Sequence, residues 1–195
     1  IALEELALQK NKLEIKDDLQ LFLRFDCYPE VLMASSTETK KTTVEEIANS
    51  YLFKDILAFE RIKNSKKVFD LLKLLAFQVG NSVSVSELAT NLGINTRTVQ
   101  RYLDLLEKAF VVFRLGSLRR NLREEVLSKA KYYFWDVGIR NAIISQFNTL
   151  DMRDDVGKLW ENFVIVERIK HSGFHQIWAN RYYWRTYDQQ EIDLI

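Results

Sequence analysis

Four residues near the middle of the chain combine reactive side chains with suggestive spacing. Thr96, Arg97, Gln100 and Arg101 fall at the start of a helix read from Asn95 onward. They occupy the face left over once Val99, Leu103, Leu106 and Phe110 are assigned to a buried stripe. An Arg guanidinium can bridge O6 and N7 of guanine, and a Gln amide can pair with adenine. This face therefore carries the groups that read base edges in a major groove. Downstream, Arg114, Arg119, Arg120 and Arg123 are opposed only by Glu124 and Glu125. Such a cluster would contact phosphates, which position a duplex without specifying its sequence. A helix-turn-helix used only for protein contacts would carry the same cations as a solvated face.

A second constellation lies near the end. Glu161 sits in an otherwise apolar helix, and Glu191 and Asp193 are alternate residues of one strand, so they point to the same side. Carboxylates converging there could hold Mg²⁺ and activate water for phosphodiester cleavage. Acidic residues at this spacing also occur as solvated groups or as guards on an edge strand. Cys27, His171 and His175 are too few for a Cys-based zinc site, and a structural zinc is not expected. Trp135, Trp160, Trp178 and Trp184 could stack bases, but each falls in a strand or on an apolar helical side and reads as core. No GxxxxGK[ST] loop occurs, so no P-loop for ATP is present in this chain.

The elements that must position these groups follow from capping and periodicity. Ser84-Val85-Ser86-Glu87 reads as a capping box opening one helix. Ala89 permits close helix approach, Gly93 supplies the turn, and Asn95 caps the second helix. Val111 to Leu115 and Lys131 to Asp136 read as an antiparallel pair of strands, completing a winged helix. Upstream, residues 1 to 25 are helical, Pro29 marks a bend, and Ser35 to Lys41 read as a polar loop before a helix capped by Thr43 and Glu46. That helix carries Ile47, Tyr51, Leu52, Ile56, Phe59 and Ile62. Lys66 to Val79 form the next helix, closed by Gly80-Asn81. Beyond the strands come a short helix over Ile139 to Phe147 and a polar, mobile loop over Asn148 to Asp155. A helix over Val156 to Ile169 follows, then strands over Tyr182 to Thr186 and Glu191 to Ile195.

The 195 residues allow one large or two small domains, with 47% hydrophobic and 28% charged residues and a net charge of +1. Any nucleic-acid surface must therefore be a local patch. No apolar run reaches membrane-span length and the start lacks a signal-peptide pattern, so the cytoplasm is the default compartment. The first residue is Ile1 and the last, Ile195, falls inside a strand, which reads as a piece of a longer polypeptide.

Six segments, taken in order, carry a resemblance. They are Tyr28 to Val31 (YPEV), Tyr51 to Ile56 (YLFKDI), Leu88 to Phe110, Tyr133 to Ala142 (YFWDVGIRNA), Gly157 to Val164 (GKLWENFV) and Tyr183 to Leu194. Together they resemble the C-terminal domain of unknown function that follows the core of bacterial and archaeal AAA-type ATPases. The resemblance implies an N-terminal P-loop ATPase domain as a missing partner, a winged helix, and a region similar to the PD-(D/E)xK nuclease fold. It matches Glu161 to the helix acid and Asp193 to the strand acid, the two candidate catalytic and metal-binding residues. The acid-x-Lys segment has no counterpart. Relatives often have Gly-Gly before Tyr-Pro-Glu, where this chain has Asp26-Cys27.

The expectation is an α+β chain: a helical segment over 1–65, a winged helix-turn-helix over 66–137, and a partial restriction-endonuclease-like α/β unit over 138–195. The expected function is DNA binding by the accessory part of an ATPase. This chain would need no cofactor of its own, with ATP and Mg²⁺ belonging to the full-length protein. An interaction module forming a homo-oligomer and a metal-dependent nuclease in the full-length protein are the alternatives.

Overall fold

The computed structural model describes residues 1–50, 64–119, 129–186, 188 and 190–195. In chain order the helices are α1 (Leu3–Leu6), α2 (Lys12–Phe25), α3 (Pro29–Met33), α4 (Thr37–Asn49), α5 (Ser65–Phe77), α6 (Val85–Leu92), α7 (Thr96–Lys108), α8 (Val137–Ile143) and α9 (Val156–Phe174). The strands are β1 (Ser82–Val83), β2 (Val112–Ser117), β3 (Ala130–Phe134), β4 (Tyr182–Arg185) and β5 (Glu191–Ile192). The fold is α+β with a mixed sheet. It divides into a helical unit, Ile1–Lys63 with Asp136–Ile177, and a sheet unit, Asn64–Trp135 with Trp178–Ile195. Among the described residues, no helix is long and apolar enough to cross a membrane. The expected Tyr51 to Ile56 segment, with Phe59 and Ile62, lies outside the described residues, as do Arg120 and Arg123.

The helical unit is built around two apolar groups. Leu6, Phe22, Leu23, Cys27, Val137, Leu159 and Phe163 form one; Phe25, Val31, Val44 and Phe147 form the other. The rings of Phe25 and Phe147 stack at 5.5 Å. Burial of such side chains contributes about 1.5–3 kcal/mol each. Pro29 sits in the first turn of α3, where its missing N–H costs nothing, and Tyr28 before it is extended. Asp26 adopts φ 61° and ψ −164°, a conformation suited to glycine. It is held there because its carboxylate accepts from the N–H of Cys27 at 2.6 Å and of Val137 at 2.8 Å. The backbone shape that Gly-Gly would favour is thus kept by side-chain hydrogen bonds. Gly138 is required for a different reason: a Cβ there would lie 2.5 Å from the carbonyl oxygen of Phe25.

Several expectations are corrected. The Ser35 to Lys41 loop is largely helix, because Ser36 caps α4 by accepting from Thr39 N–H at 3.1 Å. Thr43 therefore lies inside α4, and its hydroxyl donates to the Thr39 carbonyl instead of capping. The polarity that looked like a loop is the solvent face of a helix. The Asn148 to Asp155 loop is tied down by buried Arg153, which donates to both carboxylate oxygens of Asp155, to Asn141 Oδ1 and to the Gln146 carbonyl. Arg140 also donates to Asp155.

The sheet order is β1-β3-β2-β4-β5. β2 and β3 pair antiparallel with Val112 opposite Phe134 and Leu115 opposite Lys131, as the strand pattern predicted. β4 joins β2 in parallel, Gly116 opposite Tyr182, and β5 returns antiparallel to β4. One sheet therefore runs from the strand before α6 to the end of the chain.

Candidate nucleic-acid interface

The α6–α7 pair positions the basic face. Ser84 caps α6 by accepting from Glu87 N–H. Gly93 ends it with φ 63°, a left-handed conformation that glycine adopts without strain. The Lys67 ammonium donates to the Leu92 carbonyl, satisfying one of the unpaired carbonyls of the last turn. Asn95 caps α7 through Thr98 N–H at 2.8 Å. Leu88, Ala89 and Leu92 of α6 and Val99, Tyr102, Leu103 and Leu106 of α7 are buried, fixing the rotation of α7.

With that rotation set, Thr96, Arg97, Gln100 and Arg101 are all exposed. Among the described residues neither Arg97 nor Arg101 is ion-paired; the Arg101 guanidinium lies 5.6 Å from the Tyr102 ring centre. Asn95, Arg97, Thr98, Gln100, Arg101 and Asp104 line an open cavity of about 380 Å³. The two arginines stand in the first two turns of α7, with Lys108 a further cation in its last turn. Asp104 and Glu107 follow, and burial together with the Asp104 charge holds the Glu107 carboxyl above its ordinary range. The first turns also present the positive end of the helix dipole. Arg114 on β2 and Arg119 just beyond it are exposed.

Phe110, assigned to the buried stripe, is 68% exposed. α7 ends at Lys108, and Phe110 takes φ 54° as the chain turns into β2, which rotates its ring out against Trp135. The tryptophans also depart from expectation: Trp178 is 94% exposed, and Trp160 and Trp184 are exposed as well. Trp178 sits in the irregular segment between α9 and β4, where no element covers it.

The acidic residues belong to both units. Glu161 lies on α9 in the helical unit, whereas Glu191 and Asp193 lie in the sheet unit. The last two do converge, but on a lysine: Lys131 Nζ stands 2.5 Å from Glu191 Oε1 and 3.2 Å from Asp193 Oδ1. Lys131 is only 2% exposed, and its ammonium lies 5.3 Å from the Tyr183 ring centre. Arg185 adds a second cation 3.1 Å from Glu191. Two carboxylates are thus held together by protein cations. The sequence reading missed Lys131; the available signal was a lysine inside the apolar run AKYYF, an inward strand position that demands a partner.

Comparison with known proteins gives a consistent placement. Residues 156–195 match a domain of unknown function, DUF4143. An uncharacterised protein of Methanocaldococcus jannaschii is 24% identical over 169 residues, covering 84% of this chain and 36% of that protein. One of Haemophilus influenzae is 25% identical over 177 residues, covering 88% and 41%. One of Mycobacterium tuberculosis is 31% identical over 123 residues, covering 62% and 27%. The chain spans less than half the length of these curated relatives. No solved structure matches it. Residues 16–150 match the family described as a domain of unknown function, DUF8612, and with most of its length inside that match the chain belongs to this family.

Proposed function

We propose that the sheet unit is a winged helix that binds duplex DNA, with α7 as the recognition helix. The observation that carries this reading is the exposed Arg97/Arg101 face, without an ion pair among the described residues, on a helix whose rotation is fixed by caps and core. Gln100 between them adds a group that can pair with adenine. Arg114 and Arg119 border the β2–β3 connection and would contact phosphates there. Resemblance to the C-terminal region of AAA-type ATPases, and the greater length of the relatives, supports an accessory role in a larger ATP-driven protein.

Fluorescence anisotropy with a labelled duplex tests this reading. Binding is expected at low salt, with log affinity falling linearly against log salt as counterions are released. An absence of binding at low salt, together with a stable dimer by light scattering, would instead identify an interaction module.

The Lys131, Glu191 and Asp193 convergence favours a second reading, a nuclease of the full-length protein, since it joins two acids to a lysine. It requires Mg²⁺-dependent cleavage that is lost in Asp193→Ala. Cleavage retained in that variant rejects it.

A further inference from the structure

The helical unit holds a cluster that the DNA reading does not use. Glu4 of α1 meets His171 near the end of α9 and His175 just past it, across more than 160 residues of chain. Glu4 Oε2 lies 2.8 Å from His171 Nδ1, and Glu4 Oε1 lies 2.6 Å from His175 Nε2. The two imidazole centres are 4.3 Å apart. One ligand atom from each of the three residues lies within 4.8 Å of the others. We infer that Glu4, His171 and His175 form a binding site for a divalent transition metal of the zinc class, which clamps α1 to the C-terminal turn of α9.

The ligand chemistry selects the metal. Imidazole nitrogens suit Zn²⁺ and its first-row neighbours, whereas Mg²⁺ and Ca²⁺ take oxygen ligands. Zn²⁺ bonds to His nitrogen and carboxylate oxygen at about 2.0–2.2 Å in tetrahedral geometry, which places ligand atoms roughly 3.3 Å apart. The Glu4–His separations of 2.6 and 2.8 Å, each to a different carboxylate oxygen, open by about 0.5–0.7 Å, and the wider separations within the 4.8 Å cluster close by up to about 1.5 Å. His residues four apart share a helical face, so α9 presents both rings to one point. Three protein ligands leave the fourth position to water.

The third ligand is held in place independently of any metal. Leu3 N–H donates to Glu167 Oε2 at 2.6 Å, and the Lys170 ammonium donates to the Ile1 carbonyl at 3.2 Å. Lys170 also pairs with Glu167, and Leu6 of α1 is buried in the core beside Leu159 and Phe163. Glu4 is thus fixed one residue from a backbone anchor on the same helix that carries the histidines. The sequence reading set zinc aside after counting Cys27, His171 and His175. Cys27 is buried and takes no part, and Glu4 is the ligand that long-range folding supplies.

The test is titration of the 195-residue chain with Co²⁺, followed by visible absorption, and with Zn²⁺, followed by calorimetry. The site requires one ion per chain, visible bands of four-coordinate Co²⁺ that Zn²⁺ abolishes, and no response to Mg²⁺. Zn²⁺ should raise the melting temperature by several degrees, because the metal binds only the folded arrangement. His171→Ala and His175→Ala should each remove the bands, and Glu4→Gln should weaken binding with the helical content preserved. Zn²⁺ should also shift the imidazole ¹⁵N resonances of both histidines in the unaltered chain, a readout that needs no variant. Absent Co²⁺ bands, histidine resonances that Zn²⁺ leaves in place, or Zn²⁺ affinity unchanged in both histidine variants would reduce the cluster to a hydrogen-bonded staple and overturn the inference.

Discussion

The two units treat polar side chains in opposite ways. In the helical unit Asp26, Arg140, Asn141, Arg153 and Asn162 are buried, and Asp26, Asn141 and Arg153 tie backbone segments together. Asn141 donates to the Leu23 and Arg24 carbonyls, and Arg153 binds the loop before α9. In the sheet unit the buried polar residues among those described are Ser117 and Lys131, while the α7 face stays in solvent. The helical unit's buried charges hold its own fold, whereas the sheet unit leaves the cations of α7 in solvent.

The largest expected effect is therefore in the helical unit. Arg153→Ala removes one of the two buried arginines that donate to Asp155 and Asn141, together with the donor to the Gln146 carbonyl, and should cost about 3–5 kcal/mol in urea denaturation, as breaking a buried pair does. A cost below about 1 kcal/mol would mean that this network is no more than a surface ion pair. In the sheet unit Lys131→Met should cost less, about 1–3 kcal/mol, because Glu191 and Asp193 retain access to water when their cation is lost. An equal or larger loss than Arg153→Ala would erase the contrast between the units.

A subtler effect concerns pH. Burial pushes the Asp136 carboxyl well above its usual range, with the neighbouring Asp26 charge adding to it; burial also raises Asp26. Each acid gives up its proton at higher pH in the folded chain than in the unfolded chain, where Asp titrates at about 3.9. The stability they contribute is therefore complete below that pH and is lost as pH rises through their folded pKa values. Asp155 behaves oppositely. Burial alone would raise it, but hydrogen bonds from Arg153 and Arg140 outweigh this and push it down to about 2. Its contribution is present above the ordinary Asp value and is lost as pH falls toward 2. Asp136→Asn keeps an oxygen to cap Ile139 N–H while removing one buried acid. The variant should show a flatter decline of melting temperature than the unaltered chain as pH rises above the ordinary Asp range. Parallel pH profiles would show that the pair is not titrating.

Local signals carried the α6–α7 segment into view. Ser84, Gly93 and Asn95 act within a few residues of themselves, and the Val99, Leu103 and Leu106 spacing is a property of one helix. The strands β2, β3 and β4 were legible for the same reason. What was hidden depends on distant partners. Lys131 meets Glu191 and Asp193 across some sixty residues, and Glu4 meets His171 and His175 from the far end of the chain. Neither spacing has a period to detect. The start of α4 was misplaced because Thr43 to Glu46 and Ser36 both spell a cap, and only backbone geometry chooses between them.

The smallest structural change should have the most direct functional consequence. Arg97→Ala/Arg101→Ala removes two exposed side chains, so stability should move by no more than about 0.5 kcal/mol. Anisotropy of a labelled duplex across a salt series should show binding by the unaltered chain, and none by the folded double variant under the same low-salt conditions. Unchanged affinity and salt dependence in the double variant would contradict the assignment of α7 as the DNA-reading helix.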